Sequence, residues 1–81
     1  MNAYIATFHT HLSAMRSQRT LERNGIPSRL SPVPRALSAS CGTCVRYEAE
    51  TPCAELLDRD WERIVRCASG ADRYEPVQEN E

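Results

Sequence analysis

The sequence predicts a small α+β domain in which two helices pack on one face of a single sheet. Three observations lead to this fold class. The chain has 81 residues, which is enough for one domain. Short stretches rich in strand-forming residues alternate with stretches of helical periodicity. Their order, β-α-β-β-α-β, is that of a ferredoxin-like two-layer sandwich. We expect one domain over residues 1–81, with residues 78–81 frayed.

The first strand and the first helix have clear boundaries in the sequence. Residues 3–8 (AYIATF) are short, apolar and rich in strand formers, and they predict a buried strand. Thr10 is a good N-cap for a helix that begins at residue 11 or 12 and runs to residue 23. Gly25 follows, and a glycine accepts the left-handed conformation that ends many helices.

Two strands are predicted next. Residues 28–31 predict a strand at an edge of the sheet, because the prolines that follow cannot donate to a ladder. Residues 43–48 (TCVRYE) alternate between apolar and polar side chains, as a half-buried strand does. This alternation directs Val45 and Tyr47 toward the core and Cys44 away from it.

The rest of the chain predicts a long helix and a last strand. Thr51 is a good N-cap and Pro52 suits the first helical position. The predicted helix covers residues 52–68 and ends at a Ser-Gly pair. Residues 72–77 predict the last strand, which a proline weakens. The apolar stripe of the predicted helix consists of Leu57, Trp61, Ile64, Val65 and Ala68.

The composition excludes several function classes. The ten basic residues are all Arg, so chemistry that needs a Lys amine is excluded. A net charge of −1 does not indicate a nucleic-acid binder. The charge is uneven, since residues 1–47 hold six Arg and one Glu, whereas residues 48–81 hold four Arg and ten acidic residues. The basic half could attract an anionic substrate or partner.

We expect a cytoplasmic protein with reduced cysteines. No apolar stretch approaches the roughly 20 residues of a membrane helix, and no secretory signal precedes the first strand. Cytosolic thiols are kept reduced, so the four cysteines are expected to be catalytic, metal-binding or buried.

The residues with the most distinctive chemistry surround Cys41 and Cys44. Their C-x-x-C spacing is typical of a dithiol that closes into a disulfide, of half a metal site, or of a nucleophile with a resolving thiol. Gly42 removes a side chain next to Cys41 and eases a tight turn. Arg35 or Arg46 could raise the thiolate fraction of a loop cysteine, because nearby cations stabilise the anion.

Four functions compete on these residues. A thioredoxin-like oxidoreductase is disfavoured, since the pair leads into an alternating strand and not into a long helix. A thiol redox sensor would form a reversible disulfide and transfer nothing. A carrier would hold sulfur or selenium as a persulfide-type adduct on one thiolate, which needs no deep pocket. A structural zinc site would add two ligands to Cys41 and Cys44. The ligands available for it are His9 with His11, or Cys53 with Cys67.

The same loop resembles a known family. The run PVPRALSASCG at residues 32–42, followed by Arg46 and Tyr47, is similar to the signature of the Se/S carrier protein-like family, also called DUF3343. The opening strand with its Thr/His turn and the Gly25-Ile26 helix stop match as well. The resemblance covers about residues 3–48.

The resemblance implies that Cys41 bears the adduct. The partners would be a sulfur or selenium donor enzyme and an acceptor protein, with no nucleic acid and no membrane. The protein would be a carrier more than a turnover enzyme, with no cofactor besides the covalently carried atom. Cys44 would resolve the adduct through a disulfide with Cys41, a role restricted to this chain or a subset, since that position varies in the family.

Further residues complete the expected site. His9 and His11 are candidate proton donors if the first strand neighbours the cysteines. The residues expected to shape the loop or to contact its anionic forms are Arg35, Ser38, Ser40, Gly42 and Arg46.

Overall fold

The computed structural model describes residues 1–68 and 73–80, in which one helix packs against a five-stranded antiparallel sheet. The α+β class is therefore confirmed. The described helix is neither long nor apolar enough to cross a membrane. The elements are β1 (Asn2–Phe8), α1 (His11–Arg23), β2 (Ser28–Pro32), β3 (Thr43–Ala49), β4 (Trp61–Cys67) and β5 (Tyr74–Glu79), with a 3₁₀ turn at Ala54–Leu56. The strand order across the sheet is β2-β3-β1-β4-β5.

β1 is the central strand of the sheet. It pairs with β3 on one side and with β4 on the other, and its residues 4–8 are all buried. A strand that is covered on both faces has a continuous apolar sequence, as residues 3–8 do. The predicted buried strand is confirmed. The predicted edge strand is confirmed too, since β2 lies at one end of the sheet and ends at Pro32.

α1 begins and ends where the sequence predicts. Thr10 has an extended backbone, and its hydroxyl oxygen accepts a hydrogen bond from the Ser13 N–H at 3.1 Å. Gly25 follows the helix with φ +76°, a left-handed conformation that ends helices without steric cost at glycine. α1 packs against β1, β2 and β3 through a face that includes the buried Ala14 and Leu21.

Two apolar clusters lie on the two faces of the sheet. The helix-side cluster includes Phe8, Ala14, Leu21, Val45, Tyr47, Trp61 and Ile64. The loop-side cluster consists of Ile5, Cys44 and Val65, with Val33, Leu37, Cys67 and Tyr74 packed against it. The alternation predicted for residues 43–48 is confirmed, because Val45 and Cys44 lie in different clusters. The face away from α1 is also covered, so Cys44 is fully buried.

The predicted second helix over residues 52–68 is wrong. After Thr51 and Pro52, the chain makes only the 3₁₀ turn at Ala54–Leu56 and then forms β4. The ferredoxin-like topology is not reproduced, because the described residues form one helix and five strands.

A β-bulge in β4 explains the error. The ladder between β1 and β4 pairs Phe8 with Trp61 and Thr7 with Arg63. Glu62 is therefore an extra residue with no partner in β1. The bulge interrupts the two-residue period of the strand, so the apolar residues of β4 fall at helix-like intervals.

β5 is longer at its C-terminal end than the sequence predicts. The prediction placed this strand at residues 72–77, whereas Gln78 and Glu79, which were expected to fray, pair with β4. The Asn80 side chain donates hydrogen bonds to the carbonyl oxygens of Arg59 and Trp61 at 2.9 and 2.8 Å. The Ser69-Gly70 pair predicted to end a helix, Asp72 and Glu81 lie outside the described residues.

Candidate functional site

The candidate site lies at the end of the sheet where β1 ends and β3 and β4 begin. Residues 33–42, here called the cysteine loop, connect β2 to β3. A hydrogen bond of 3.0 Å from the Val33 N–H to the Gly42 carbonyl closes this loop. The loop reaches across the sheet, since Leu37 packs against the loop-side cluster and Ser40 contacts Glu62 of β4. It thus brings Cys41 to the same end of the sheet as the start of α1.

Cys41 is half-buried at the C-terminal end of the cysteine loop. Its side chain packs against the helix-side cluster, and its thiol donates to the Thr43 carbonyl at 3.4 Å. Gly42 has φ +74°, and a Cβ built there would meet no atom within 4 Å. The backbone next to Cys41 is therefore open, which leaves room for an incoming group.

His9 and His11 flank the cysteine loop. β1 pairs directly with β3, so the condition for these candidate proton donors is met. His11 Nδ1 lies 3.1 Å from Thr43 Oγ1, and His9 Nδ1 lies 3.4 Å from Ser40 Oγ. Both histidines are exposed. Both side chains are therefore accessible to solvent and to an approaching group.

Glu62, which the sequence analysis did not select, joins the cysteine loop to β4. Its Oε1 accepts a hydrogen bond from the Ser40 backbone N–H at 3.2 Å, and its Oε2 accepts one from the Ser40 hydroxyl at 3.0 Å. The same Oε2 lies 3.4 Å from His9 Nδ1, and the Glu62 side chain is 20% exposed. One carboxylate thus connects the loop, β4 and the turn after β1.

Asp60, also absent from the sequence-based site, makes a similar connection at the start of α1. Its Oδ2 accepts hydrogen bonds from the Ser13 hydroxyl at 2.7 Å and the Thr10 hydroxyl at 3.2 Å. The Ser13 hydrogen bond above all lowers the pKa of the Asp60 carboxyl, because it stabilises the charged form. An ionised carboxylate also suits the positive end of the helix dipole.

Cys44, the second cysteine of the C-x-x-C pair, has no exposed surface. Burial raises the pKa of its thiol, and the positive charge of Arg46 opposes this shift only in part. Its sulfur lies 3.6 Å from the Pro32 carbonyl oxygen, to which the thiol donates. Cys41 packs against the helix-side cluster, whereas Cys44 belongs to the loop-side cluster. The two thiols therefore occupy different environments.

The residues expected to contact anions lie partly on β3 and partly on the cysteine loop. Arg46 lies on the loop-side face, where its Nε donates to Ser31 Oγ at 3.2 Å. Arg35 and Ser38 are exposed on the cysteine loop. Ser40 is the predicted residue of this set whose hydroxyl contacts His9.

A family model matches residues 3–58, which cover β1 from its second residue, α1, β2, the cysteine loop and β3. The family is described as Putative Se/S carrier protein-like. The chain belongs to this family. The resemblance found in the loop sequence is confirmed. A search of curated proteins found no match, and a search of solved structures found none either.

The sequence also predicts an alternative zinc site built from cysteines and histidines. Across residues 1–68 and 73–80, no three His, Cys, Asp or Glu side chains form a group that could hold a metal ion. Cys53 packs against the helix-side cluster and Cys67 against the loop-side cluster. The two additional thiols therefore lie on different faces of the sheet.

Gly42→Ala is expected to destabilise the protein by about 1–2 kcal/mol. The cost comes from the left-handed backbone, since the added methyl group meets no atom within 4 Å. Urea unfolding measures the loss. Gly42→Asn should lose less, because asparagine tolerates this conformation better. An alanine variant as stable as the parent would show that residue 42 adopts another conformation.

Proposed function

We propose that this protein carries one sulfur or selenium atom on Cys41 as a persulfide-type adduct, between a donor enzyme and an acceptor protein. The observation that carries the proposal is the setting of Cys41. Its thiol is half-buried on a closed loop and next to an open glycine, and two exposed histidines contact the neighbouring residues Ser40 and Thr43. Family membership supports the nature of the cargo.

The transfer needs one thiolate on this chain. The Cys41 thiolate attacks the outer sulfur of a donor persulfide R–S–SH, forms the S–S bond of Cys41–S–SH and releases the thiolate R–S⁻. An acceptor thiolate attacks the outer sulfur of the adduct in the same way and regenerates the Cys41 thiolate. No external oxidant or reductant is required, because each S–S bond formed replaces one that breaks. A donor R–S–SeH follows the same balance.

Release of the atom through Cys44 is the less supported route. The Cys44 thiol would attack the inner sulfur of Cys41–S–SH, leaving a Cys41–Cys44 disulfide and H₂S. Cys44 would first have to leave the loop-side cluster, and its raised pKa keeps the thiol protonated there. We therefore propose that a thiol of the acceptor receives the atom directly.

Cys41→Ala is expected to abolish the adduct. The reduced protein is incubated with cysteine persulfide and examined by intact mass spectrometry under native conditions. The parent protein should gain the mass of one sulfur atom, which a thiol reductant removes. Cys53→Ala and Cys67→Ala are matched variants, because both cysteines are also half-buried, and they should keep the gain.

Two outcomes would contradict this proposal. One is an adduct of normal stoichiometry on the Cys41→Ala variant. The other is a parent protein that loses two hydrogens and gains no sulfur, which would indicate a disulfide and favour a redox sensor.

A further inference from the structure

The Glu62 carboxylate occupies a position that the transfer chemistry leaves unexplained. Glu62 is the extra residue of the bulge in β4, and bulges often redirect a side chain beside a functional site. Its carboxylate reaches both Ser40, the residue before Cys41, and the ring of His9. We propose that Glu62 is a positioning residue that fixes His9 in its Nδ1–H tautomer and holds the cysteine loop beside that ring. This inference deepens the proposed function. The effect of Glu62 on sulfur transfer rests on that function.

The hydrogen bonds around Ser40 decide where the proton on His9 lies. A carboxylate oxygen can only accept a hydrogen bond. The Ser40 hydroxyl donates its single proton to Glu62 Oε2 at 3.0 Å, so its oxygen is left to accept. His9 Nδ1 lies 3.4 Å from Ser40 Oγ and 3.4 Å from Glu62 Oε2. Both neighbours of Nδ1 are acceptors, so Nδ1 carries the proton and, in the neutral ring, Nε2 holds the lone pair.

The same carboxylate fixes the chain that leads to Cys41. The Ser40 backbone N–H and its hydroxyl bind the two oxygens of Glu62 separately, at 3.2 and 3.0 Å. A charged acceptor strengthens both hydrogen bonds. The peptide before Cys41 and the His9 ring are therefore held by one group, with Glu62 largely shielded from water at 20% exposure.

A free Nε2 makes neutral His9 a base at the rim of the cysteine loop. His9 can take the proton of an approaching thiol during sulfur transfer and return it afterwards. The Glu62 carboxylate stabilises the imidazolium that forms meanwhile, as carboxylates do for histidines in other sites. The sequence suggests that His9 donates a proton. The hydrogen bonds instead indicate that neutral His9 first accepts a proton at Nε2 and donates it afterwards.

Nitrogen NMR of the His9 ring tests the inference without any sulfur donor. Long-range ¹H–¹⁵N spectra of ¹⁵N-labelled protein distinguish a protonated ring nitrogen from an unprotonated one, at a pH where the ring is neutral. His9→Gln assigns the signals. We expect Nδ1–H in the parent protein. Glu62→Gln should shift the ring toward Nε2–H, because the amide has a single acceptor oxygen and its NH₂ can donate to Nδ1.

Glu48→Gln is the matched control. Glu48 is an exposed residue near the far end of β3, so its substitution removes the same charge without touching the loop. It should leave the tautomer unchanged. A neutral His9 with its proton on Nε2 in the parent protein overturns the inference, and so does a Glu62→Gln variant that retains Nδ1–H.

A rate measurement connects the tautomer to transfer. In Glu62→Gln, sulfur transfer from the Cys41 persulfide to an added thiol acceptor should be at least about tenfold slower, with the same initial loading of Cys41. An unchanged rate in a variant whose tautomer has shifted would overturn the link to transfer. Failure of the proposed function has a different signature, namely a parent protein with no adduct on Cys41 whatever the NMR spectra show.

Discussion

Cys44 is expected to react with iodoacetamide at least about a hundredfold more slowly than Cys41 in the folded protein. Cys44 has no exposed surface and lies on β3, which is paired on both sides by β2 and β1. Iodoacetamide reaches this thiol only when the loop-side cluster opens around it. An opening free energy of about 3 kcal/mol, below the global stability of about 4–12 kcal/mol for 81 residues, gives a factor of about a hundred.

Mass spectrometry measures both rates in one experiment. Trypsin releases residues 36–46 (ALSASCGTCVR) as one peptide, and fragment spectra separate labelling at Cys41 from labelling at Cys44. In denaturant the two rates should converge, which serves as the internal reference. Rates within about tenfold of each other in the folded protein would mean that Cys44 is accessible, and the Cys41–Cys44 resolving pair would regain support.

The C-x-x-C spacing suggests a reactive dithiol, because two cysteines three positions apart lie close together on a helical turn or in a tight loop. In a strand the same spacing separates the thiols, since residues an odd number of positions apart lie on opposite faces. Here Cys44 is the second residue of β3, and its side chain enters the loop-side cluster. Sequence spacing alone does not show that the strand begins between the two cysteines.

The first half of the fold could be predicted because its signals are local. Thr10, Gly25 and the prolines after β2 each act on the backbone within a few residues of themselves. The alternation of residues 43–48 depends only on the period of a strand. Such features do not depend on contacts with distant parts of the chain, and all of them agree with the structure.

β4 could not be predicted because its bulge gives the strand a helical pattern. Trp61 and Ile64 lie in the same cluster although they are three residues apart, since Glu62 adds one residue between them. Val65 then faces the loop-side cluster. Positions 61, 64 and 65 also have the spacing of residues on one face of a helix. Only the pairing of this segment with β1, which is distant in sequence, decides between a bulged strand and a helix.

The site residues that the sequence analysis missed share this dependence on distant contacts. Glu62 meets Ser40 across 22 positions, and Asp60 meets Ser13 across 47. Neither carboxylate belongs to the apolar stripe of the predicted helix, and nothing near them in the sequence indicates a partner. Only the pairing of β4 with β1 brings them to the end of the sheet where the cysteine loop and α1 meet. A single sequence therefore points to Cys41 and not to the groups that hold its loop.

Trp61→Ala is expected to destabilise the protein by about 3–5 kcal/mol, a large part of its total stability. Trp61 is 7% exposed in the helix-side cluster and pairs with Phe8 of the central strand. It also lies between Asp60 and Glu62, so its anchorage holds both carboxylates in place. Urea unfolding followed by far-UV circular dichroism measures the loss, because the variant has no tryptophan fluorescence.

Two further variants separate burial from other effects of the Trp61 substitution. Trp61→Phe keeps an aromatic ring in the cluster and should lose clearly less stability than Trp61→Ala. Val77→Ala changes a β5 side chain that is 41% exposed and should stay within about 0.5 kcal/mol of the parent. A Trp61→Ala loss below about 1 kcal/mol would contradict a buried β4. If β4 is anchored as described, Trp61→Phe should also retain the Nδ1–H tautomer of His9, because Glu62 keeps its position beside Ser40.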